Sequence, residues 1–503
     1  MPARASEDDV LALDLGTGSA RAALIDVEGH IHDLVGRPLV THHPRHGWVE
    51  QAPSDWWAAL SGAIAELVAR NADRAIAGIC GCGHMHAPVL IDATGQPTRP
   101  RAMLWNDKRA MGTAAALNAR LEADGGHARF GNPATTAWPG VKLAWLAEHD
   151  PGALEGVQAL LMPKDYINFR LCGEAAMDWT EAGSSFLMDP ATRSWAPEQA
   201  DFLGLETDIL APLVSSWTRI GAVNADAARE TGLPVGLPVF AGGGDYPCAV
   251  AGSGAMAPGA ISDITGTSYL LTAIGEAPVI HPEVMNVMTV DGKWGAFSVV
   301  DAAGDAIRWV RRMVGGEDTG FDALNRMAED VPAGADGLIF LPYLTGERLG
   351  DGAGSRAAFV GLSARHGPAH VVRAVMEGVV LAMIHASAPI WAGRRMTGPI
   401  VAAAGGRRSD LWLRIKASAL DLPIRPSAEP ESGLVGCAAI ARTGLGQYGD
   451  VTEAVGALSA FTEDVPPEPD LRSAYRELVP VFAAAKSALR PVDRRLAERT
   501  AER

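Results

Sequence analysis

Residues 10–25 read Val-Leu-Ala-Leu-Asp-Leu-Gly-Thr-Gly-Ser-Ala-Arg-Ala-Ala-Leu-Ile, and the fold turns on how this stretch is read. Two apolar runs flank Gly16-Thr17-Gly18-Ser19, the grammar of a strand, a tight glycine turn and a second strand. Small residues and hydroxyls in the turn let backbone N–H groups approach an anion closely. Asp14 falls in the last part of the first strand, where its carboxylate faces whatever the turn holds. A carboxylate beside an anion cradle fits a phosphate with its magnesium ion, since Mg2+ takes oxygen ligands and keeps several waters. An ordinary hairpin with Asp14 as a turn residue fits the same letters.

An echo of this stretch lies far downstream. Residues 260–274 read Ala-Ile-Ser-Asp-Ile-Thr-Gly-Thr-Ser-Tyr-Leu-Leu-Thr-Ala-Ile, again strand, Gly266-Thr267-Ser268, strand. Two such hairpins point to a duplicated fold in which each copy presents one phosphate-binding loop to a shared cleft. The length of 503 residues exceeds what one hydrophobic core supports, so two domains are expected.

Composition narrows the function classes. Apolar content of 48% is that of a globular chain, and the longest apolar runs are broken well short of a bilayer span, so no transmembrane helix is expected. The first nine residues lack the apolar core of a signal peptide. Five cysteines with no CxxC fit a reducing cytoplasm and argue against a disulfide framework or a zinc site. A net charge of −16 argues against nucleic acid as a partner while leaving room for a nucleotide held by local amides and magnesium. The oligomeric state is not readable; a homodimer is the general expectation.

Strands and helices alternate along the chain, so the class is α/β. A third strand is predicted over residues 31–40, a helix from Pro53, and strands over 75–80 and 88–92 that bracket Gly81-Cys82-Gly83-His84-Met85-His86. Residues 108–150 read as helical, Pro163 opens a helix after a strand over 159–162, and a strand over 235–241 runs into Gly242-Gly243-Gly244-Asp245. A loosened stretch (Gly252, Gly254, Pro258, Gly259) marks a boundary. Beyond the echo come a strand over 294–300, a helix from Asp305, a long helix over 370–385, a strand over 400–404 entering Gly405-Gly406, and a charged helical segment from Asp470, expected at the periphery. The expected domains are residues 8–254, 255–450 and a tail, 451–503.

Asp245 follows a glycine run at the end of a buried strand, where ligands of open α/β sheets gather. A carboxylate there could take a proton from a substrate hydroxyl, as an Asp does in kinases, or it could simply cap a helix.

Taken together and in order, these motifs resemble the FGGY carbohydrate kinases, closest to the xylulokinases, over nearly the whole chain. Asp14-Leu15-Gly16-Thr17 matches the family's first phosphate motif and Gly266-Thr267-Ser268 the second. His84-Met85-His86-Ala87, Trp105-Asn106-Asp107 and Pro163-Lys164-Asp165-Tyr166 resemble the xylulokinase motifs Gln-Met-His-Gly, Trp-Asn-Asp and Pro-Lys-Asp-Tyr. Gly243-Gly244-Asp245 is similar to the stretch that bears the family's catalytic Asp, Gly346-Glu347-Arg348 to its Gly-Glu-Arg, and Gly405-Gly406 to its adenine-side glycines. The resemblance implies a duplicated ribonuclease H-like fold of the actin/hexokinase ATPase type, two domains around a central cleft, and ATP-dependent phosphorylation of a terminal hydroxyl of a ketopentose, D-xylulose first. It implies Asp245 as general base, Asp14 and Asp245 at Mg2+, and ATP along Gly16, Thr17, Gly18, Ser19, Gly266, Thr267, Ser268, Gly304, Gly405 and Gly406. It also implies a sugar site lined by Met85, His86, Trp105, Asp107, Asp245 and Tyr246.

The chain departs from the xylulokinase pattern at Tyr246, where those kinases carry a sugar-contacting Asn, and at His84 and Ala87. Another ketose or a sugar alcohol is therefore the alternative substrate. The stretch Leu349-Gly350-Asp351-Gly352 also lacks the usual prolines. Gly252-x-Gly254-x-x-Ala257 passes for a dinucleotide fingerprint, but Pro258-Gly259 follows where a helix must continue. No Gly-Lys precedes Ser or Thr, and no GxSxG occurs. His84 and His86 could pair on a metal, although no third ligand is in sight and pocket lining is the simpler reading; His42, His43 and His46 read as a solvated loop. An actin-like nucleotide switch would use the same two bends but would not need the sugar motifs.

Overall fold

A computed structural model describes residues 8–124, 126–316, 319–348, 354–394 and 396–501. The loop at 349–352 and the segment 1–7 lie outside the described residues. The first sheet contains β1 (Asp9–Leu15), β2 (Ser19–Ile25), β3 (Ile31–Pro38), β4 (Ile76–Gly83), β5 (Arg219–Ala222) and β6 (Pro238–Gly244), in the order β5-β6-β4-β1-β2-β3. The second contains β7 (Ile261–Thr265), β8 (Tyr269–Gly275), β9 (Met285–Met288), β10 (Trp294–Val300), β11 (Ile400–Ala403) and β12 (Ile424–Pro426), in the order β9-β10-β8-β7-β11-β12.

The two sheets repeat one topology. β1 runs antiparallel to β2 and parallel to β4, and β7 runs antiparallel to β8 and parallel to β11. Each central strand is thus hydrogen-bonded to its hairpin partner on one side and to a crossover strand on the other. Parallel neighbours require long crossover connections. Helices cover both faces of the sheet, which is why β1 is buried at every position and its residues 10–13 read as a continuous apolar run rather than an alternating one.

One face of the first sheet carries α1 (Pro53–Arg70), which buries Trp56, Trp57, Leu60, Ile64 and Leu67. The other face is closed by α5 (Asp245–Gly252), α9 (Ser432–Gly444) and α10 (Val451–Leu458), whose Leu434, Val435, Ile440 and Val455 pack on Val10, Ala12, Ile25 and Phe240. Helices α5 and α9 touch backbone to backbone. A Cβ on Gly252 would lie 1.8 Å from the Ser432 carbonyl oxygen, and one on Gly436 2.1 Å from that of Cys248. Helix α9, placed by chain order in the second half, therefore completes the core of the first.

The second core is organised around α7 (Pro368–Trp391), with α6 (Gly304–Gly315), α8 (Asp410–Leu420) and α11 (Pro469–Ala501) against it. Among the described residues α7 is the one helix long and apolar enough to cross a membrane, and 72% of its most apolar window is buried here. Helix α11 is less peripheral than its charge suggests. Its apolar stripe buries Tyr475 and Phe482, and the Tyr475 hydroxyl donates to Glu377 (2.9 Å) while accepting from Arg373 (3.0 Å). The lobes meet where β9 and β10 turn Met285, Val287 and Phe297 into the first core. There Asn286 donates to Asn132 from its backbone (2.7 Å) and to the Gly131 carbonyl from its side chain (2.8 Å).

Candidate active site

The first bend is closed by Gly16 N–H donating to the Ser19 carbonyl at 3.0 Å. Gly18 faces open space: an added Cβ would meet no protein atom within 4 Å. Asp14 is opposite Arg21 in the hairpin register, and the Arg21 guanidinium pairs with both Asp14 and Glu431, the residue preceding α9. The Trp105 indole donates to the Thr17 hydroxyl at 3.2 Å, and Gln51 donates to the Thr17 carbonyl at 2.7 Å.

β6 delivers Asp245 to the same place, and its glycines are sterically required. Gly242 has φ +71° and would put a Cβ 1.8 Å from the Gly81 carbonyl oxygen; Gly244 would put one 2.6 Å from the Met85 sulfur. Strand β6 can therefore lie close against β4 and Met85 before Asp245 starts α5. Burial raises the Asp245 pKa well above the ordinary carboxylate value, and the neighbouring Asp14 raises it further. Burial also raises Asp14, against the pull of Arg21. Two buried carboxylates, with the one nearby guanidinium bound to Asp14 and shared with Glu431, form an oxygen donor set short of positive charge, and that fits Mg2+.

The second bend is closed by Gly266 N–H donating to the Ser268 carbonyl at 2.9 Å, and Gly266 also faces open space. Its Thr267 carbonyl accepts from Ala303 N–H (3.0 Å), and its hydroxyl accepts from Arg308 (3.0 Å). Gly304, first residue of α6, packs so closely that a Cβ would lie 2.1 Å from the Gly266 carbonyl oxygen. Gly406 lies against the base of the bend, where a Cβ would come within 2.5 Å of the Thr265 Cβ. Gly405 follows Ala404, a non-glycine residue held at φ 60°, a strained geometry of the sort that collects at functional sites. Counting back from the glycine, the place of Asp14 is taken here by Ile264. The second bend repeats the closure of the first without the acid.

Of the residues predicted to line the sugar site, Met85 lies against Gly244 and His86 is held at φ 72°. The buried Lys142 ammonium fixes that turn by donating to the carbonyls of His86 (2.5 Å) and Met103 (3.3 Å). Burial lowers its pKa to about 7, against the attraction of Asp107. Burial also holds His86 well below its ordinary pKa and His84 at about 3, so both imidazoles are neutral at pH 7. His86 Nδ1, both ring nitrogens of His84 and Asn106 Oδ1 are buried without a hydrogen-bond partner. Buried polar atoms left open in this way fit a ligand rich in hydroxyls.

Two predicted sugar contacts are engaged within the protein. The Asp107 carboxylate accepts from Val49 N–H (2.7 Å) and from Arg109 (2.7 and 2.9 Å) and is 1% exposed, so it braces Arg109. The Tyr246 hydroxyl is hydrogen-bonded to Thr272 of β8, and its ring packs on Phe297 of β10 at 5.4 Å. It spans the two lobes. Among the described residues His84 and His86 join no metal-ligand cluster; the His84 ring packs edge-on to Trp56 at 5.1 Å and that of His86 to Trp138 at 5.0 Å.

Several functional neighbours left little trace in the sequence. Lys416, on α8 and fully buried, donates to Asp263 (2.8 and 3.1 Å) and to Thr265 (2.7 Å) and so anchors the root of the second bend. Lys164 pairs with Asp165 and Asp178 beneath β4, so the Pro-Lys-Asp-Tyr motif is a buttress. Arg348 reaches across the lobes, bound to Asp301 at 2.6 Å and lying 4.9 Å from the Trp105 ring. A separate cavity of about 300 Å³ between β10, α7 and α11 includes Arg348 in its lining but neither bend.

Residues 10–252 match the N-terminal domain of the FGGY family of carbohydrate kinases, and residues 262–444 its C-terminal domain. A xylulose kinase of Staphylococcus epidermidis is 29% identical over 491 residues, 94% of this chain and 96% of that protein. An autoinducer-2 kinase of Yersinia enterocolitica is also 29% identical, over 499 residues, 94% of this chain and 93% of that protein. The crystal structure of xylulose kinase from Rhodospirillum rubrum superimposes with a TM-score of 0.88 at 30% identity, covering 97% of this chain and 100% of that one. With both domains matched in order and the duplicated bends in place, the chain belongs to the FGGY family of carbohydrate kinases and is an ATP-dependent sugar kinase.

Proposed function

We propose that this kinase transfers the γ-phosphate of ATP to the terminal hydroxyl of a ketopentose, D-xylulose first, with Asp245 as general base. The observation that carries the reading is the pair of buried carboxylates Asp14 and Asp245 at the first bend, where burial raises both and Asp14 raises Asp245 further. A raised pKa makes Asp245 a better proton acceptor once ionised. The open amides at the two bends hold the phosphates, and Asp14 with Asp245 would hold Mg2+, which when bound neutralises phosphate charge. His86 and Asn106 supply the open polar atoms for sugar hydroxyls. Lobe closure excludes water and limits wasteful ATP hydrolysis.

A second reading, another ketose or a sugar alcohol, is favoured by Tyr246, whose hydroxyl is committed to Thr272. The relative from Yersinia bears the name of a kinase for a different small molecule. A phosphorylation screen over ketoses and polyols, read as ADP formed, decides between them. Highest kcat/KM on D-xylulose supports the first reading; turnover of a polyol or another ketose with none of D-xylulose overturns it.

A further inference from the structure

The cysteine spacing hides a cluster that the fold assembles. Cys82 on β4, Cys248 on α5 and Cys437 on α9 bring their sulfurs within 4.8 Å of one another, and the three residues are 2%, 0% and 0% exposed. Cys80 lies on the same face of β4 in the same core. The fifth cysteine, Cys172, stands apart and donates to the Asn168 carbonyl at 3.2 Å. Small side chains are needed where α5 and α9 cross, but Ala251 and Ala439 meet that need in the same core, so close packing does not explain three thiols at one point.

A soft ion with metal–sulfur bonds of about 2.3 Å sets three thiolate sulfurs about 4 Å apart. The cluster reaches that spacing with shifts of under about 1 Å. Thiolate sets select soft d10 cations over Mg2+. The cluster backs directly on the acids: Cys82 is paired in register with Asp14, and Cys248 follows Asp245 by three residues on α5.

We propose that Cys82, Cys248 and Cys437 bind one soft divalent cation of the Zn2+/Cd2+ class and that its binding inactivates the kinase. Three S–H bonds break, three metal–sulfur bonds form and three protons leave to solvent, with no electron transferred. A neutral cluster thereby becomes a singly negative one, and β4, α5 and α9 become cross-linked directly behind Asp14 and Asp245, fixing the strand and helix that carry those acids. The binding step stands on the cysteines alone; the inactivation step rests on the assignment of Asp245 as base.

Titrating the reduced full-length protein with Cd2+ tests both steps. The expected result is an ultraviolet thiolate-to-cadmium charge-transfer band saturating at one equivalent, lost in Cys248→Ala and Cys437→Ala, kept in Cys172→Ala, with activity falling in step and recovering on chelation. The 113Cd resonance of the wild type, expected in the thiolate-ligated range, needs no variant and covers the case in which the substitutions unfold the protein. Absence of the band, a resonance in the oxygen-ligated range, or a band that disappears with Cys172→Ala instead would overturn the site. Full activity at full occupancy would overturn the inhibitory step while leaving the kinase assignment untouched.

Discussion

A carboxylate at the end of a buried strand, next to a second carboxylate, works against the stability of the protein that holds it. The folded pKa of Asp245 lies above the usual 3.8, so between those values the folded state binds the extra proton, and the Asp245 contribution to stability falls as pH rises through that window. At neutral pH the ligand-free enzyme is therefore strained at this residue. Asp245→Asn should lower kcat by at least about 10³-fold, retain ATP binding by calorimetry, and raise Tm by roughly 1–3 °C. The same shift places the acid limb of kcat/KM above the ordinary carboxylate range, with activity falling as pH drops through it; a pH–rate profile of the wild type reads it. Lys142 holds the left-handed turn at His86, so Lys142→Met should raise the sugar KM roughly tenfold with kcat much less affected, as steady-state kinetics would report. Asp14 and Asp245 were legible because each ends an apolar run beside glycines. Arg21, Lys142 and Lys416 were not, because their partners are backbone carbonyls or residues brought near only by the sheet.

The hairpins were legible as elements because each bend carries its own glycine and hydroxyl chemistry between two apolar runs. What sequence order could not convey was which surface a helix covers. Helix α9 reads as part of the second half, yet its partners are β1, β4 and α5, and its neighbour Glu431 completes the ion pairing of Arg21 and Asp14. Helix α11 reads as charged, and its buried stripe becomes visible only against α7. The second bend depends on two supports beneath it. Gly304→Ala forces a Cβ to within 2.1 Å of the Gly266 carbonyl oxygen, so it should cost about 1–3 kcal/mol in urea unfolding and raise the ATP KM more than the sugar KM. Lys416→Met removes the anchor shared by Asp263 and Thr265 and should act in the same direction, read by the same ATP titrations.

At the scale of the molecule, two repeats of one topology face each other, and beside the shared core at β9 and β10 specific side chains cross between them near the bends. Tyr246 joins Thr272, and Arg348 lies over Trp105, which holds Thr17. A residue that only reads the sugar would change the sugar KM alone. Tyr246→Phe, which removes the bond to Thr272, should instead raise the KM values for sugar and ATP together, with about 1 kcal/mol lost in stability. A shift confined to the sugar would return Tyr246 to the pocket wall. The two-lobed plan was legible in the repeated bends, while the Tyr246 bridge was not, because its partner lies in the other repeat. The central claim is that both bends grip one triphosphate with Asp245 beside its terminal phosphorus. A crystal structure with a non-hydrolysable ATP analogue and D-xylulose tests it most directly. The account predicts phosphate oxygens within hydrogen-bond reach of backbone amides at both Thr17 and Thr267, and the terminal sugar hydroxyl on Asp245. Phosphates held by one bend alone, or Asp245 turned away from the sugar, would contradict it.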